Sequence, residues 1–284
     1  MTLHIREISD MHLEHYYDLY DAANNHANET VKSLLPPLPT DKKSVLVISG
    51  DLATARRVGR IVTFLELVVP RFKHVIYVLG NHEHYGCKMS ETMPIIMAAI
   101  AGSHRDILDR VTVAGNIPVK KKIGDITFLC GTLWTDYDKG NIETHALVSR
   151  CINDHRTILN DDRTGVTPTQ FAEIHNATVA KFGEWMEGQD NSKTVICTHH
   201  MPSFDAVDPQ YLLDPTTRRL NHAFATHLND FILKYQPAMW TFGHTHTKFF
   251  SKIGETQLVC NPLGYPQENN LSRGRFITEN VFSL

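Results

Sequence analysis

Short polar segments that directly follow apolar runs carry the residues of this chain that could bind a metal ion. The first apolar run ends in Asp10 and His12, which are separated by one residue. Side chains two positions apart in an extended chain project to the same side, so this carboxylate and this imidazole can converge on one cation. A second run ends in Gly50 and Asp51, which adds a carboxylate where glycine lets the backbone turn sharply. Each segment alone is a weak signal.

A third polar segment, Asn81 and His82, follows the apolar run from Val75 to Leu79. It offers an amide oxygen and an imidazole side by side. Because adjacent residues of an extended chain point to opposite sides, these two side chains are expected to divide roles and not to serve one ion together.

Histidines supply the last two segments, with His199 and His200 after one apolar run and His244 and His246 after another. Two histidines separated by one residue lie roughly 6 to 7 Å apart at the backbone, enough to straddle two ions ~3.5 to 4 Å apart. Strand ends gather at one edge of an α/β sheet. The five segments, all rich in Asp, Asn and His, therefore predict one shared metal site.

The elements that must position these segments alternate in the manner of an α/β protein. The predicted strands are Leu3 to Ile8, Ser44 to Ser49, His74 to Leu79, Ile126 to Cys130, Thr194 to Thr198, Ala238 to Phe242, Lys248 to Ile253 and Gln257 to Cys260. The predicted helices are Thr54 to Val69, Ser90 to Leu108, Glu143 to Arg156, Thr167 to Glu187 and Thr216 to Tyr235. The last third has little helix between its strands, so part of the sheet is expected to be antiparallel or mixed.

No repeat or linker divides the chain, and we expect one domain over residues 1–284. Residues 13–43 form a long connection between the first two predicted strands. A connection of this length in a domain is typical of a functional lid or of local disorder. We expect instead a surface excursion that carries a short helix.

Composition excludes some function classes. The formal net charge of -3 and the pI of about 6.6 give no basic footprint for nucleic-acid binding. The basic run from Lys120 to Lys122 has apolar neighbours and is interpreted as the solvated face of a strand or turn. Five scattered cysteines without a C-x-x-C pair indicate reduced thiols. No signal-peptide layout and no long apolar stretch is present, which predicts a cytoplasmic protein without a membrane segment.

Taken in order, the segments D-x-H, G-D, G-N-H-E, H-H-x-P and G-H-x-H resemble the signature of the calcineurin-like metallophosphoesterases over nearly the whole chain. Residues 132–136 and 261–266 also resemble a compact bacterial and phage branch of that family. The resemblance implies a four-layer α/β/β/α sandwich in which two mixed sheets are flanked by helices, with an insertion at about 13–43. It further implies two divalent metal ions, with manganese expected first and iron or zinc as alternatives.

The same resemblance implies a role for each residue of the motifs. One metal would be held by Asp10, His12, Asp51 and His246. The other would be held by Asp51, Asn81, His199 and His244, so that Asp51 bridges the two ions. His82 would lie beside the metals as proton donor or charge stabiliser. His200 is the alternative to His199 as the ligand.

Counting charges at such a centre predicts the substrate. Two divalent ions, two aspartates and a hydroxide leave about one positive charge, which attracts an anionic phosphoester. We expect a hydrolase in which metal-activated hydroxide attacks phosphorus in line, without a covalent enzyme intermediate. The expected partner is a small phosphoester, with nucleotides among the candidates. The alternatives are a nuclease acting on DNA or RNA and a scaffold protein that has lost catalysis. The oligomeric state is not predicted.

Overall fold

Two mixed β-sheets lie at the centre of the fold in the computed structural model, which describes residues 2–16, 19, 25–103, 107–268, 270 and 273–284. The strands are β1 His4–Ile8, β2 Ser44–Ser49, β3 His74–Val78, β4 Val111–Ala114, β5 Val119–Ile123, β6 Ile126–Cys130, β7 Thr194–Cys197, β8 Met239–Thr241, β9 Phe249–Ile253, β10 Thr256–Cys260 and β11 Val281–Ser283. The helices are α1 Asn25–Leu34, α2 Val58–Val68, α3 Met89–Ala101, α4 Tyr137–Gly140, α5 Ile142–Cys151, α6 Asp154–Thr157, α7 Pro168–Met186, α8 Pro215–Leu220 and α9 Asn229–Tyr235.

Each sheet has a parallel centre and at least one antiparallel edge strand. The first sheet has the order β11-β1-β2-β3-β4, in which only β11 runs antiparallel to its neighbour. The second has the order β5-β6-β7-β8-β10-β9, with antiparallel edges at β5 and β9. The expectation of a mixed sheet in the last third is therefore confirmed. Because the central strands are parallel within each sheet, their carboxyl ends share one edge.

Strand β2 shows why the layers number four. Successive side chains of a strand point to opposite faces. Val45 and Val47 pack between the two sheets, together with residues of β6 and β7, whereas Leu46 and Ile48 pack on the other face against α2. A third apolar cluster, which includes Phe182 of α7 and Trp240 of β8, covers the outer face of the second sheet. The predicted α/β/β/α sandwich is confirmed.

Helix α7 begins as its sequence predicts. Thr167 caps the helix, its hydroxyl accepting from the amide of Gln170, while the Gln170 side chain accepts from the amide of Thr167. Pro168 occupies the first helical position, where its missing amide hydrogen costs nothing. The reciprocal pair satisfies two amides that the helix itself leaves without partners.

Some predicted boundaries are wrong. The predicted helix 143–156 divides into α5 and α6, because Ile152 is extended between them. The predicted helix 216–235 divides into α8 and α9, because the chain between them pairs with a distant segment. The amide of Met201 donates to the carbonyl of Phe224 at 3.0 Å, and the amide of Thr226 donates to the carbonyl of Met201 at 3.1 Å. Strands β4, β5 and β11 were not predicted. Lys120 and Lys122 lie exposed on β5, as expected of a solvated strand face.

The connection of residues 13–43 contributes to the core and is more than a surface excursion. Val31, Leu34 and Leu35, in and just after α1, are buried in the cluster that covers the first sheet. Asp41 accepts from the buried guanidinium of Arg6 at 2.8 Å and from Arg71 at 2.8 Å. The short helix is present as expected, whereas residues 17–18 and 20–24 of the connection lie outside the described residues.

Of the helices in the described part of the chain, none combines the length and the apolar character that a membrane crossing requires. All five cysteines are free thiols, in agreement with the expectation from their spacing.

Candidate metal centre

The predicted ligands lie together just beyond the carboxyl ends of five parallel strands. Strands β1, β2 and β3 of the first sheet deliver Asp10, His12, Asp51 and Asn81, and strands β7 and β8 of the second sheet deliver His199, His244 and His246. The two sheet edges meet here, since the amide of Ser9 donates to Asn261 at 3.2 Å and that of His244 donates to Asp10 at 2.9 Å.

One cluster of donor atoms consists of Asp10, His12 and His246, whose candidate ligand atoms all lie within 4.8 Å of one another. The Nε2 atoms of His12 and His246 are 3.0 Å apart, and Nε2 of His246 is 3.6 Å from Oδ1 of Asp10. Ligands bonded to one ion at ~2.0 to 2.2 Å stand about 3 Å apart, so this spacing fits a shared cation.

A second cluster consists of Asp51, His199 and His244, again within 4.8 Å. Nε2 of His199 lies 3.0 Å from Oδ1 of Asn81, 3.2 Å from Nδ1 of His244 and 3.4 Å from Oδ1 of Asp51. Asn81 therefore joins this cluster through its amide oxygen. Imidazole nitrogens with carboxylate and amide oxygens are a donor set suited to a divalent transition-metal ion.

Asp51 connects the two clusters. Its Oδ1 faces His199 of the second cluster at 3.4 Å, and its Oδ2 lies 3.9 Å from Nε2 of His12 in the first. The amide of His82 donates to Oδ1 at 2.9 Å and helps to orient the carboxylate. Burial alone would raise the pKa of Asp51, but the imidazoles of His199 and His82 hold it well below its usual range. The group is thus an anion that lies between the two clusters of candidate ligands.

Unusual backbone conformations concentrate at these positions. A positive φ costs a residue with a side chain roughly 1 to 3 kcal/mol and persists only where the surrounding structure enforces it. Hydrogen bonds provide that enforcement, for example from the amide of Asp10 to Gly50 and from that of His12 to Asp51, each 3.0 Å long. Five of the seven predicted ligands have a positive φ, namely Asp10, His12, Asp51, His244 and His246.

Two glycines let the backbone approach the ligands closely. A β-carbon at Gly80 would lie 2.2 Å from Oδ1 of Asp51, and one at Gly50, where φ is +89°, would lie 2.2 Å from Nδ1 of His199. Any side chain at either position would displace a donor atom. The glycines of the G-D and G-N-H-E segments are therefore required by this close approach.

Comparisons with known proteins agree with this geometry. The family model for calcineurin-like phosphoesterases matches residues 3–248. The chain belongs to the calcineurin-like phosphoesterases. The family resemblance seen in the motifs is thereby confirmed, and the chain is a hydrolase that acts on phosphoester bonds.

Similar proteins are distant in sequence. An uncharacterized protein of Acanthamoeba polyphaga mimivirus is 26% identical over 277 residues, covering 94% of this chain and 92% of that protein. Among solved structures, the phosphopantetheinyl hydrolase of Mycobacterium tuberculosis superposes with a TM-score of 0.69 at 18% identity, covering 99% of this chain and 95% of its own. A Thermus thermophilus protein gives 0.51 at 11% identity, covering 92% and 90%. At these identities the two structures support the fold.

The two consecutive histidines of this phosphoesterase have different surroundings. His199 donates from Nδ1 to the carbonyl of Ser49, 2.9 Å away, which leaves Nε2 facing Asp51 and His244. His200 lies behind the second cluster, with its ring 4.9 Å from that of Trp134 and its Nε2 without a hydrogen-bond partner. The structure thus brings His199, and not His200, into the group of candidate ligands.

His82 lies beside both clusters, between Glu14, which belongs to no motif, and Tyr265, which lies in the segment 261–266 that resembles the family. Its Nδ1 is 3.2 Å from Oε1 of Glu14, and its Nε2 is 3.1 Å from the hydroxyl of Tyr265. Burial would lower the pKa of His82, but the carboxylates of Asp51 and Glu14 outweigh that effect and raise it to about 9. Glu14 also contacts Nδ1 of His12 at 3.3 Å, so one carboxylate orients two imidazoles.

Two further carboxylates orient ligands. Glu268 contacts Nδ1 of His246 at 2.9 Å, and Asp154 accepts from the side-chain amide nitrogen of Asn81 at 2.9 Å. Such partners set the tautomer and direction of a metal ligand. Asp10, His12 and Glu14 are each two positions apart. This spacing could have indicated from the sequence that Glu14 lies near the ligands. Neither Glu268 nor Asp154 belongs to a motif, and spacing alone gives no reason to single them out.

Glu83 braces the turn that carries Asp51. It is fully buried and accepts hydrogen bonds from the amides of Asp51, Leu52 and Gly80 and from the hydroxyl of Tyr77. Burial and the charge of Asp51 raise the pKa of Glu83 to about 7. The last letter of the G-N-H-E segment is thus a structural support of the site.

Replacement of Glu83 by alanine is expected to lower the free energy of unfolding by about 3 kcal/mol or more, because it leaves four buried donors without an acceptor. Tyr77→Phe is the matched control. It removes one of the four donors and should cost about 1 kcal/mol. Urea denaturation of the metal-free proteins measures both, and equal losses in the two variants would contradict the bracing role.

Proposed function

We propose that this calcineurin-like phosphoesterase hydrolyses phosphoesters at a dinuclear centre of divalent cations bridged by Asp51. The observation that carries the proposal is the placement of Asp51, whose two oxygens face two separate clusters of donor atoms. A bridging ligand needs two equivalent anionic oxygens, which a carboxylate has and an amide or imidazole lacks.

Seven side chains would hold the cations. Asp10, His12, Asp51 and His246 would form one site. Asp51, Asn81, His199 and His244 would form the other, with His199 preferred to His200 because only His199 directs a ring nitrogen at Asp51. Histidine nitrogens and carboxylate oxygens suit manganese, with iron and zinc as alternatives. Convergence of all the predicted ligands argues against a scaffold that has lost its site.

The bound cations would supply positive charge for the phosphoryl oxygens and lower the pKa of water to ~7, so that hydroxide is available at neutral pH. The protein's own groups do the rest. Asp51 and the imidazoles fix the positions of the reactants. A water-derived oxygen forms a bond to phosphorus as the bond to the leaving oxygen breaks, in a single displacement without a covalent enzyme intermediate.

The leaving oxygen would receive its proton from His82. Glu14 accepts at Nδ1 of that ring, which directs Nε2 towards the cavity where the hydroxyl of Tyr265 also lies. A general acid must stand within hydrogen-bond reach of the group it protonates. The position of His82 at the border of the cavity, beside both clusters, supports this role.

Replacement of His82 by alanine should lower kcat by about 100-fold or more, because the leaving oxygen would depart without a proton donor, while two metal ions stay bound. Steady-state release of phenol from ethyl phenyl phosphate, whose basic leaving oxygen needs a proton, together with metal analysis of the same samples, measures both quantities. His227→Ala, on an exposed histidine away from the clusters, is the matched control and should retain wild-type kcat. Near-normal turnover by the His82 variant would reject the role.

Replacement of Asp51 by asparagine tests the proposed centre itself. Wild-type protein reconstituted with Mn²⁺ should contain two ions per chain and hydrolyse bis(p-nitrophenyl) phosphate. The variant should retain fewer than two ions and lose at least about 100-fold in kcat/KM, because an amide has one good donor oxygen. Asp205→Asn, on an exposed carboxylate, is the control. Full metal content and activity in the Asp51 variant would refute the bridge.

A further inference from the structure

The metal clusters open into a cavity of about 440 Å³ that both polar and apolar side chains line. Polar groups of the centre, together with Tyr265, form part of the lining. The apolar part of the lining, which we name the apolar arm, consists of Ile152, Met201, Val207, Tyr211, Leu220 and Phe224. A cavity of this volume is in the range that encloses a small organic molecule. The arm is therefore a candidate site for part of a substrate held at the metals.

Phe224 joins the arm directly to the centre. Its ring stacks on the imidazole of His244, with centroids 4.7 Å apart and an interplanar angle of 26°. The backbone pairing of Met201 with Phe224 and Thr226 holds this wall in place. A group attached to a phosphoryl centre at the clusters would thus meet apolar surface at once.

Charge distinguishes the substrates that this cavity can accept. Among the described residues that line it, none is lysine or arginine, whereas Asp154, Asp208 and Glu268 add carboxylates beyond Asp51. Two arginines that flank lining residues donate elsewhere: Arg218 to the carbonyl of Leu212 at 2.7 Å and Arg219 to Glu143 at 2.5 Å. Binding of multiply charged phosphates in proteins relies on such cations. A second phosphate or a carboxylate on the substrate would be repelled here.

From these features, and resting on the proposed function, we propose that the substrate is a phosphodiester monoanion whose organic group is uncharged and apolar, and that the apolar arm receives this group. A phosphomonoester carries a second negative charge, which would meet the carboxylates of Asp154, Asp208 and Glu268 without a lysine or arginine among the described lining residues to compensate it. A nucleic acid carries a charge on every neighbouring nucleotide, and the described residues that line the cavity include no lysine or arginine to bind those charges.

Binding measured without turnover tests the arm. Calorimetry on the full chain loaded with Mn²⁺ compares methyl methylphosphonate, hexyl methylphosphonate and 5-carboxypentyl methylphosphonate, which share one phosphonate charge and differ in one group. The hexyl compound should bind at least about tenfold more tightly than the methyl compound, since its chain buries apolar surface. The carboxylate compound should lose that gain. Equal dissociation constants for the three would overturn the inference.

A charge-reversal variant makes the test specific to the arm. In Leu220→Arg, a guanidinium placed in the arm should weaken hexyl methylphosphonate about tenfold or more and favour the carboxypentyl compound instead. Leu213→Arg is the matched control, because Leu213 is 81% exposed on the same segment and does not line the cavity. The control should keep the wild-type order of affinities. The same reversal in both variants, or in neither, would contradict the assignment.

Turnover separates the substrate class from the proposed function. The ratio of kcat/KM for bis(p-nitrophenyl) phosphate to that for p-nitrophenyl phosphate should exceed about ten, and a single-stranded oligonucleotide should be hydrolysed more slowly than the diester. Preference for the monoester or the oligonucleotide would overturn the inference and leave phosphoester hydrolysis standing. Failure to hydrolyse any of the three would overturn the proposed function, whatever the binding order of the phosphonates.

Discussion

The carboxylate of Asp51 is 1% exposed and lies between imidazoles that come from both sheets. A buried anion is costly unless positive charge or hydrogen bonds compensate it. The amide of His82 donates to Oδ1 of its side chain, and ring nitrogens of His199 and His12 lie 3.4 and 3.9 Å from its two oxygens. Such surroundings suit an anion that shares its two oxygens between cations. The rest of the site is arranged around this requirement.

Meeting that requirement constrains the backbone of two sheets at once. The strand ends that carry Asp10 and Asp51 belong to the first sheet, and those that carry His199 and His244 belong to the second. The donor atoms converge only because glycines admit close contact and because ligand residues adopt positive φ values. The free energy that these conformations cost must be supplied by packing elsewhere, which the three apolar clusters of the sandwich provide.

Much of the fold and of the candidate ligand set could be predicted from the sequence, because both follow from short-range patterns. The apolar runs of β1, β2 and β3 are continuous, as buried parallel strands require, and their ends are marked by glycine and polar residues. The motif segments then place the donors at one sheet edge. The family to which those segments pointed is the family to which the chain belongs.

What could not be predicted depends on contacts between distant segments. Helical periodicity continues through Phe224, but the chain leaves the helix there because its backbone pairs with Met201. The same pairing forms a wall of the cavity, so no local sequence pattern predicts the apolar arm. Tyr265 and Glu268 reach His82 and His246 from an irregular segment near the end of the chain. Residues 261–266 resemble a family segment, but that resemblance gives Tyr265 no contact with His82, and no period or spacing identifies Glu268.

Anomalous diffraction from crystals grown with Mn²⁺ tests the central claim most directly. The account predicts two anomalous peaks separated by ~3.5 to 4 Å, each within bonding distance of a different oxygen of Asp51. One of the peaks should contact His12 and the other His199. A single peak, or two peaks of which only one contacts Asp51, would contradict it.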